Sequence, residues 1–290
     1  MNIQKSFDNE VEGAIYIVPT PIGNLEDITY RALNILKTAT VIAAEDTRNT
    51  KKLMNYFEIA TPLTSYHEHN KREKTERLIS EAKNGAQIAL VSDAGMPAIS
   101  DPGYELVQEA IEQDVKIIVL PGANAALAAL VGSGLSTDEF YFYGFLPRKK
   151  KEKEAVLAYL KKYQATIIFY ESPYRIKDTL AALLEQLGNR KVALAREITK
   201  RFEEYIRGSL EEVLDWSVSN ELKGEFVIVV EGSHFADETE DIIWWSAFDI
   251  MEHVNYYIEK DELSSKEAIK QTAVDRKLPK REVYQAYHVD

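Results

Sequence analysis

From Gly13 to Gly232, short runs of β-branched and aliphatic residues alternate with longer stretches whose apolar positions recur at helical spacing. Ala14–Thr20, Thr40–Glu45, Thr61–His67, Gln87–Ser92 and Lys116–Leu120 read as strands, each a compact apolar run bounded by turn formers. Glu26–Ala39 reads as a helix with Ile28, Ala32, Leu33, Ile35 and Leu36 on one face. Asn49–Glu58, Glu73–Asn84 (stopped by Gly85) and Gly103–Gln113 follow the same pattern. This alternation predicts a parallel sheet covered on both faces, since parallel neighbours need helical crossovers.

A second series begins after VGSGLSTD at 131–138, where Gly, Ser and Asp cluster. Its strands are Glu139–Leu146, Thr166–Tyr170, Lys191–Ala195 and Phe226–Val230; its helices are Lys149–Lys162, Ile176–Leu187 and Leu210–Val218. The expectation is two tandem α/β domains, 1–136 and 137–234. In the remainder, 235–290, an amphipathic helix is expected at Ile242–Ile258. Two short helices, Ser265–Lys277 and Lys280–His288, join at Leu278-Pro279 in a helix–turn–helix-like extension. Ser264 or Ser265 suits the N-cap and Pro279 a first helical position.

Composition bounds the function. Hydrophobic residues at 45% and charged residues at 28% exclude a disordered chain. The absence of cysteine removes disulfides, thiolate metal sites and cysteine nucleophiles, and suits the cytoplasm. No apolar run reaches the ~20 residues that span a bilayer, and the polar start carries no secretory pattern, so no membrane partner is expected. A net charge of −12 argues at first against a nucleic-acid partner. Nine acids and one base, however, lie within residues 233–263, whereas 264–290 holds six bases and four acids. Arg148–Lys153 packs five bases into six residues, at a helix start where bases are disfavoured. The charge pattern is therefore an acidic connector between local basic grips.

In an open parallel sheet, ligands sit beyond the carboxyl ends of the strands. The segments there are Pro19–Asp27, Glu45–Arg48, Ser92–Gly103 and Pro121–Asn124, all rich in Gly, Pro and polar residues, and together they outline a cleft. Neither Gly-x-Gly-x-x-Gly nor a P-loop pattern is present, and the first loop carries two prolines that lack an N–H for phosphate. A carboxylate such as Asp93 suits a ribose diol or a cationic ligand. His67-Glu68-His69 lacks a third ligand of matching context and reads as a surface loop, so no metal is expected. The aromatic run Phe140–Phe145 reads as a buried strand.

These loops, in this order, resemble the tetrapyrrole methylase superfamily, the class III S-adenosylmethionine-dependent methyltransferases. The resemblance rests on VPTPIGNLEDIT (18–29), AAEDTR (43–48), SDAGMPAISDPG (92–103), LPGANAA (120–126), FYGFLPRK (142–149), FYESPYRI (169–176), AREITKRFEE (195–204) and GEFVIVVEG (224–232). It implies two α/β domains with the cofactor in a cleft between them, and a homodimer. It also implies 2′-O-methylation of a decoding-centre cytidine in 16S ribosomal RNA. Cofactor contacts by aligned position are Pro19, Thr20, Asp93, Met96, Asn124, Ala125, Tyr170, Glu171 and Ser172. A ribose hydroxyl is a weak nucleophile at neutral pH, so a carboxylate base would help; Glu45, Asp46 and Asp101 are the candidates. Arg48 and Arg175 suit RNA phosphates, and Arg148, Lys149, Lys150, Lys151, Lys277, Lys280 and Arg281 form the expected basic grips. The alternatives are a superfamily enzyme with a small-molecule or protein acceptor, and a non-catalytic ribosome assembly module.

Overall fold

The computed structural model describes residues 3–6, 13–234, 245, 248–261 and 263–288. The chain divides into two compact units, Met1–Ser233 and His234–Asp290.

In the first unit, β1 (Ala14–Ile17), β2 (Val41–Ala44), β3 (Leu63–Ser65), β4 (Gln87–Val91) and β5 (Lys116–Val119) form an all-parallel sheet in the order β3-β2-β4-β1-β5. Helices α1 (Tyr30–Thr38), α2 (Thr47–Tyr56), α3 (Lys71–Lys83) and α4 (Tyr104–Glu112) make the crossovers. Successive strand residues point to opposite faces, so Ile15 and Ile17 enter one core with Leu78 and Leu106, while Ala14 and Val18 enter another with Leu36 and Met54. The helix expected at Glu26–Ala39 is broken. Leu25–Asp27 is a single 3₁₀ turn, and α1 starts afresh where the Thr29 side chain accepts from the Ala32 N–H.

The second sheet runs β6 (Phe140–Phe145), β7 (Thr166–Glu171), β10 (Phe226–Val230), β8 (Lys191–Arg196), β9 (Glu204–Ser209). It is mixed: β6 and β7 are its parallel neighbours, whereas β10 is antiparallel to both β7 and β8, and β9 to β8. Strand β9 carries no strand signature in the sequence. EYIRGS lacks a continuous apolar run because it is an edge strand paired only with β8. The aromatic strand β6 is also an edge rather than a buried strand, with Phe140, Tyr141 and Phe145 exposed.

Helices α6 (Lys150–Leu160), α7 (Ile176–Leu187) and α8 (Leu210–Ser219) cover one face of this sheet over Ile167, Phe169, Leu194 and Ile228. The opposite face is covered by α5 (Ala125–Ser133), which follows β5 in sequence yet packs its Ala126, Ala129 and Leu130 on Ile168, Ala193 and Val229. The sequence of α5, AALAALVGS, is apolar on nearly every side and shows no helical stripe that would mark it. Its small residues permit close approach: a Cβ on Gly132 would lie 2.5 Å from the Tyr205 ring.

The second unit is a three-helix cluster of α9 (Ile250–Lys260), α10 (Ser265–Asp275) and α11 (Lys280–His288) around Val254, Ile269 and Val283. Asp249 and Ser264 close capping boxes with Glu252 and Glu267. Part of the helix expected at Ile242–Ile258 lies outside the described residues. Pro279 sits just before α11, its carbonyl accepting the Glu282 N–H at 2.9 Å. None of the described helices is long and apolar enough to cross a membrane.

Candidate active site

The loops after β1, β4 and β5, the end of β2, the end of β7 and the start of β10 enclose a cavity of about 470 Å³. Local chemistry holds its walls. Thr20 and Gly95 exchange two backbone hydrogen bonds at 3.0 Å, and the Thr20 hydroxyl donates to the Ser92 carbonyl, joining the first and fourth strand-end loops. Beyond Gly95 the chain takes left-handed backbone at Ala98 (φ 67°) and Ser100 (φ 63°). The opposite lip does the same at Glu197 (φ 50°) and Thr199 (φ 67°), and Thr199 Oγ1 accepts the Asn24 N–H. Strained non-glycine backbone on both lips persists only where surrounding contacts over-determine it.

Carboxylates dominate the lining. Burial pushes the Asp101 carboxyl up to about 6, with Asp93 adding repulsion and a hydrogen bond from Ser92 opposing it. Burial also raises Glu45, helped by the charges of Asp101 and Asp93. Asp93 is anchored from the α2 side, its oxygens accepting the Asp46 N–H at 3.1 Å and Asn49 Nδ2 at 3.0 Å. Among the described residues lining the cavity, Lys200 is the lone cation, held between Glu197 at 2.9 Å and Glu225 at 3.0 Å.

The far wall is built on α5 and β7. Asn124 caps α5 by accepting the Leu127 N–H, and Tyr170 Oη accepts the Ala126 N–H at 3.2 Å. Glu171 is buried and fully engaged: its oxygens accept from Thr179 Oγ1 at 2.7 Å and from the Ser172 N–H at 2.8 Å. Arg175 lies 3.5 Å from Glu171 and donates to the carbonyls of Leu146 and Pro147, tying the end of β6 to the end of β7.

Of the residues expected from sequence, Glu45, Asp93, Met96, Asp101, Asn124, Ala125, Tyr170, Glu171 and Ser172 line this one cavity. Pro19 is buried, close against Gly122, and Thr20 faces an adjoining groove. Asp46 caps α2 and pairs with Arg48 at 2.7 Å, and these bonds hold its carboxyl at about 2. Arg175 is turned inward. Arg148, Lys149, Lys150 and Lys151 are exposed, Lys149 and Lys150 reaching Glu152 and Glu154 of the same helix. Lys277, Lys280 and Arg281 are exposed, whereas Arg276 points inward to His253 Nδ1 at 3.1 Å and stacks on Trp245. Residues the sequence reading missed include Ile198, Lys200, Glu225, Phe226 and Val227. A search of carboxyl strand ends passes over 225–227 because β10 is reversed, which brings its amino end to the cavity beside Glu171.

A family model described as Tetrapyrrole (Corrin/Porphyrin) Methylases matches residues 14–214. The chain belongs to the tetrapyrrole methylase family. Within that family it is similar to Ribosomal RNA small subunit methyltransferase I of Bacillus subtilis, with 54% identity covering 99% of this chain and 98% of that one. The protein of the same name from Halalkalibacterium halodurans is also 54% identical, with 99% of each chain covered. Among solved tetrapyrrole methylase structures, uroporphyrin-III C-methyltransferase from Thermus thermophilus, complexed with S-adenosylhomocysteine, shares the fold at TM-score 0.55 and 20% identity. That match covers 76% of this chain and 97% of that one.

Proposed function

We propose that this protein is a methyltransferase of small-subunit ribosomal RNA. Its S-adenosylmethionine-dependent reaction is 2′-O-methylation of the ribose of cytidine 1402 in the 16S decoding centre. The observation that carries the reading is the 54% identity to a protein named for small-subunit RNA methylation, extending over 99% of this chain, C-terminal helices included. The reading entails an enzyme of the bacterial cytoplasm that acts as a homodimer.

The residues present fit the cofactor. A cavity of about 470 Å³ lies within the usual range for ligands of this size. Its Ile22, Met96 and Ile198 offer an apolar wall, and its carboxylates suit a cationic ligand. When bound, the cofactor supplies an electrophilic methyl group on a sulfonium. The chain supplies position and proton transfer. The loops joined at Thr20 and Gly95 fix one wall and the Tyr170–α5 contact fixes the other, so the cavity meets an entering nucleoside with preset walls. Asp101 accepts the proton of the ribose 2′-hydroxyl. With a carboxyl near 6 it is mostly ionised at neutral pH and more basic than an exposed aspartate. Repulsion from Asp93 sustains that basicity, and the charges of Asp101 and Asp93 in turn raise Glu45. Asp46, committed to Arg48 and to the α2 cap, is the weaker base.

The test is incubation of the protein with labelled S-adenosylmethionine and unmodified small ribosomal subunits, followed by mass mapping of the RNA. A single methyl on the ribose of cytidine 1402 is expected. Methylation of a tetrapyrrole with none on RNA, or binding to subunits without methyl transfer, would overturn the reading.

A further inference from the structure

A second groove, about 300 Å³, opens beside the cavity, and Asp93 lines both. One wall is the loop after β1, with Thr20, Pro21 and Leu25. The other is one face of α2: Asn49, Lys52, Leu53 and Tyr56 recur at the spacing that places them along a single helical stripe. Tyr56 is 65% exposed, its ring braced edge-on by Phe57 at 4.9 Å between centroids. The Lys52 ammonium reaches Asn49 Oδ1 at 3.5 Å. Helix α2 carries Lys51 and Lys52 and not one acid within its span, while its Arg48 pairs with the N-cap Asp46, in a chain whose net charge is −12. A braced, exposed aromatic ring and a cation beside a carboxylate-lined cavity are parts that hold an unpaired nucleotide. The ring offers a stacking face and the cation meets the phosphate, while the Asn49 amide, bonded to Asp93 and Lys52, positions that cation.

We propose that this groove seats the ribonucleotide adjacent to the one being methylated, with Tyr56 stacking on its base and Lys52 meeting its phosphate. The inference rests on the proposed RNA substrate and extends it to a site outside the cavity. It also gives the acidic chain a cationic contact next to the reaction centre. At the α6 start, by contrast, Lys149 and Lys150 reach neighbouring glutamates.

The experiment is fluorescence anisotropy with a labelled single-stranded RNA decamer spanning the target cytidine, alongside methylation kinetics on small subunits. Tyr56→Ala is expected to weaken RNA binding roughly tenfold and to raise KM with kcat kept, while Tyr56→Phe restores both. Lys52→Ala is expected to lower the slope of log affinity against log salt by about 0.7. Calorimetric affinity for S-adenosylmethionine should match wild type in all three, which also shows that they fold. Wild-type RNA affinity in Tyr56→Ala, or an equal loss of cofactor affinity, would overturn the inference. RNA binding without methyl transfer by the wild type would instead sink the activity reading alone.

Discussion

The hydroxyl of Tyr170 accepts the backbone N–H of Ala126 at 3.2 Å, fastening the end of β7 to the first turn of α5. The bond joins a helix that follows the first sheet to a strand of the second, at the wall of the cavity. Tyr170→Phe removes the acceptor and leaves a buried amide unpaired, since Ala126 is only 4% exposed. Urea unfolding should show a loss of about 1–2 kcal/mol, and cofactor affinity should fall with it. Unchanged stability would mean the amide finds another partner.

Asp101 and Asp46 should separate sharply. Asp101→Asn is expected to lower kcat by about 10²-fold or more, whereas Asp46→Asn keeps it within about threefold. In the wild type, kcat should rise with pH through about 6 and then level off, as Asp101 loses its proton. A profile flat from pH 5 to 8 would remove Asp101 as the base.

The same group has a stability consequence of opposite sign. Its carboxyl is raised from an ordinary 3.8 to about 6, so the folded state binds the proton more tightly than the unfolded chain. The contribution of this group is therefore full below about pH 4 and is lost as pH rises through 6. Asp101→Asn should reduce that part of the decline in thermal stability between pH 4 and 7.

Arg175 was expected to hold RNA phosphate, but its guanidinium is engaged with Leu146, Pro147 and Glu171. Arg175→Ala strips a buried carboxylate of its cation and should cost roughly 2–4 kcal/mol in urea unfolding. Arg175→Lys should not restore the loss, because one ammonium cannot reproduce the fork. A variant of full stability whose only defect is RNA affinity would return Arg175 to the RNA.

Gly132 lies inside α5, where alanine would ordinarily gain about 1 kcal/mol. Here its Cβ would meet the Tyr205 ring at 2.5 Å. Gly132→Ala should therefore destabilise by about 1–3 kcal/mol, read by urea unfolding. A stabilised variant would show that the ring moves aside.

Local patterns carry far in this chain. The parallel first sheet, the capped C-terminal helices and the cluster of strand-end loops at one edge follow from apolar periodicity, turn residues and the rule that parallel strands deliver their carboxyl ends together. Asp93, Asp101 and Asn124 are therefore legible as neighbours from strand ends alone, whereas Tyr170 is implied only by the family resemblance. Strand direction in the second sheet was not legible, because an apolar run such as FVIVV suits either sense, and only pairing with β7 and β8 reverses it. Nor was the place of α5: an all-apolar helix carries no stripe to say which sheet it covers. Tertiary packing also sorted the charges, turning Arg175 and Arg276 inward and raising Asp101 in the cavity. Sequence lists ionisable groups; the neighbours that desolvate or neutralise each one are brought together only by the fold.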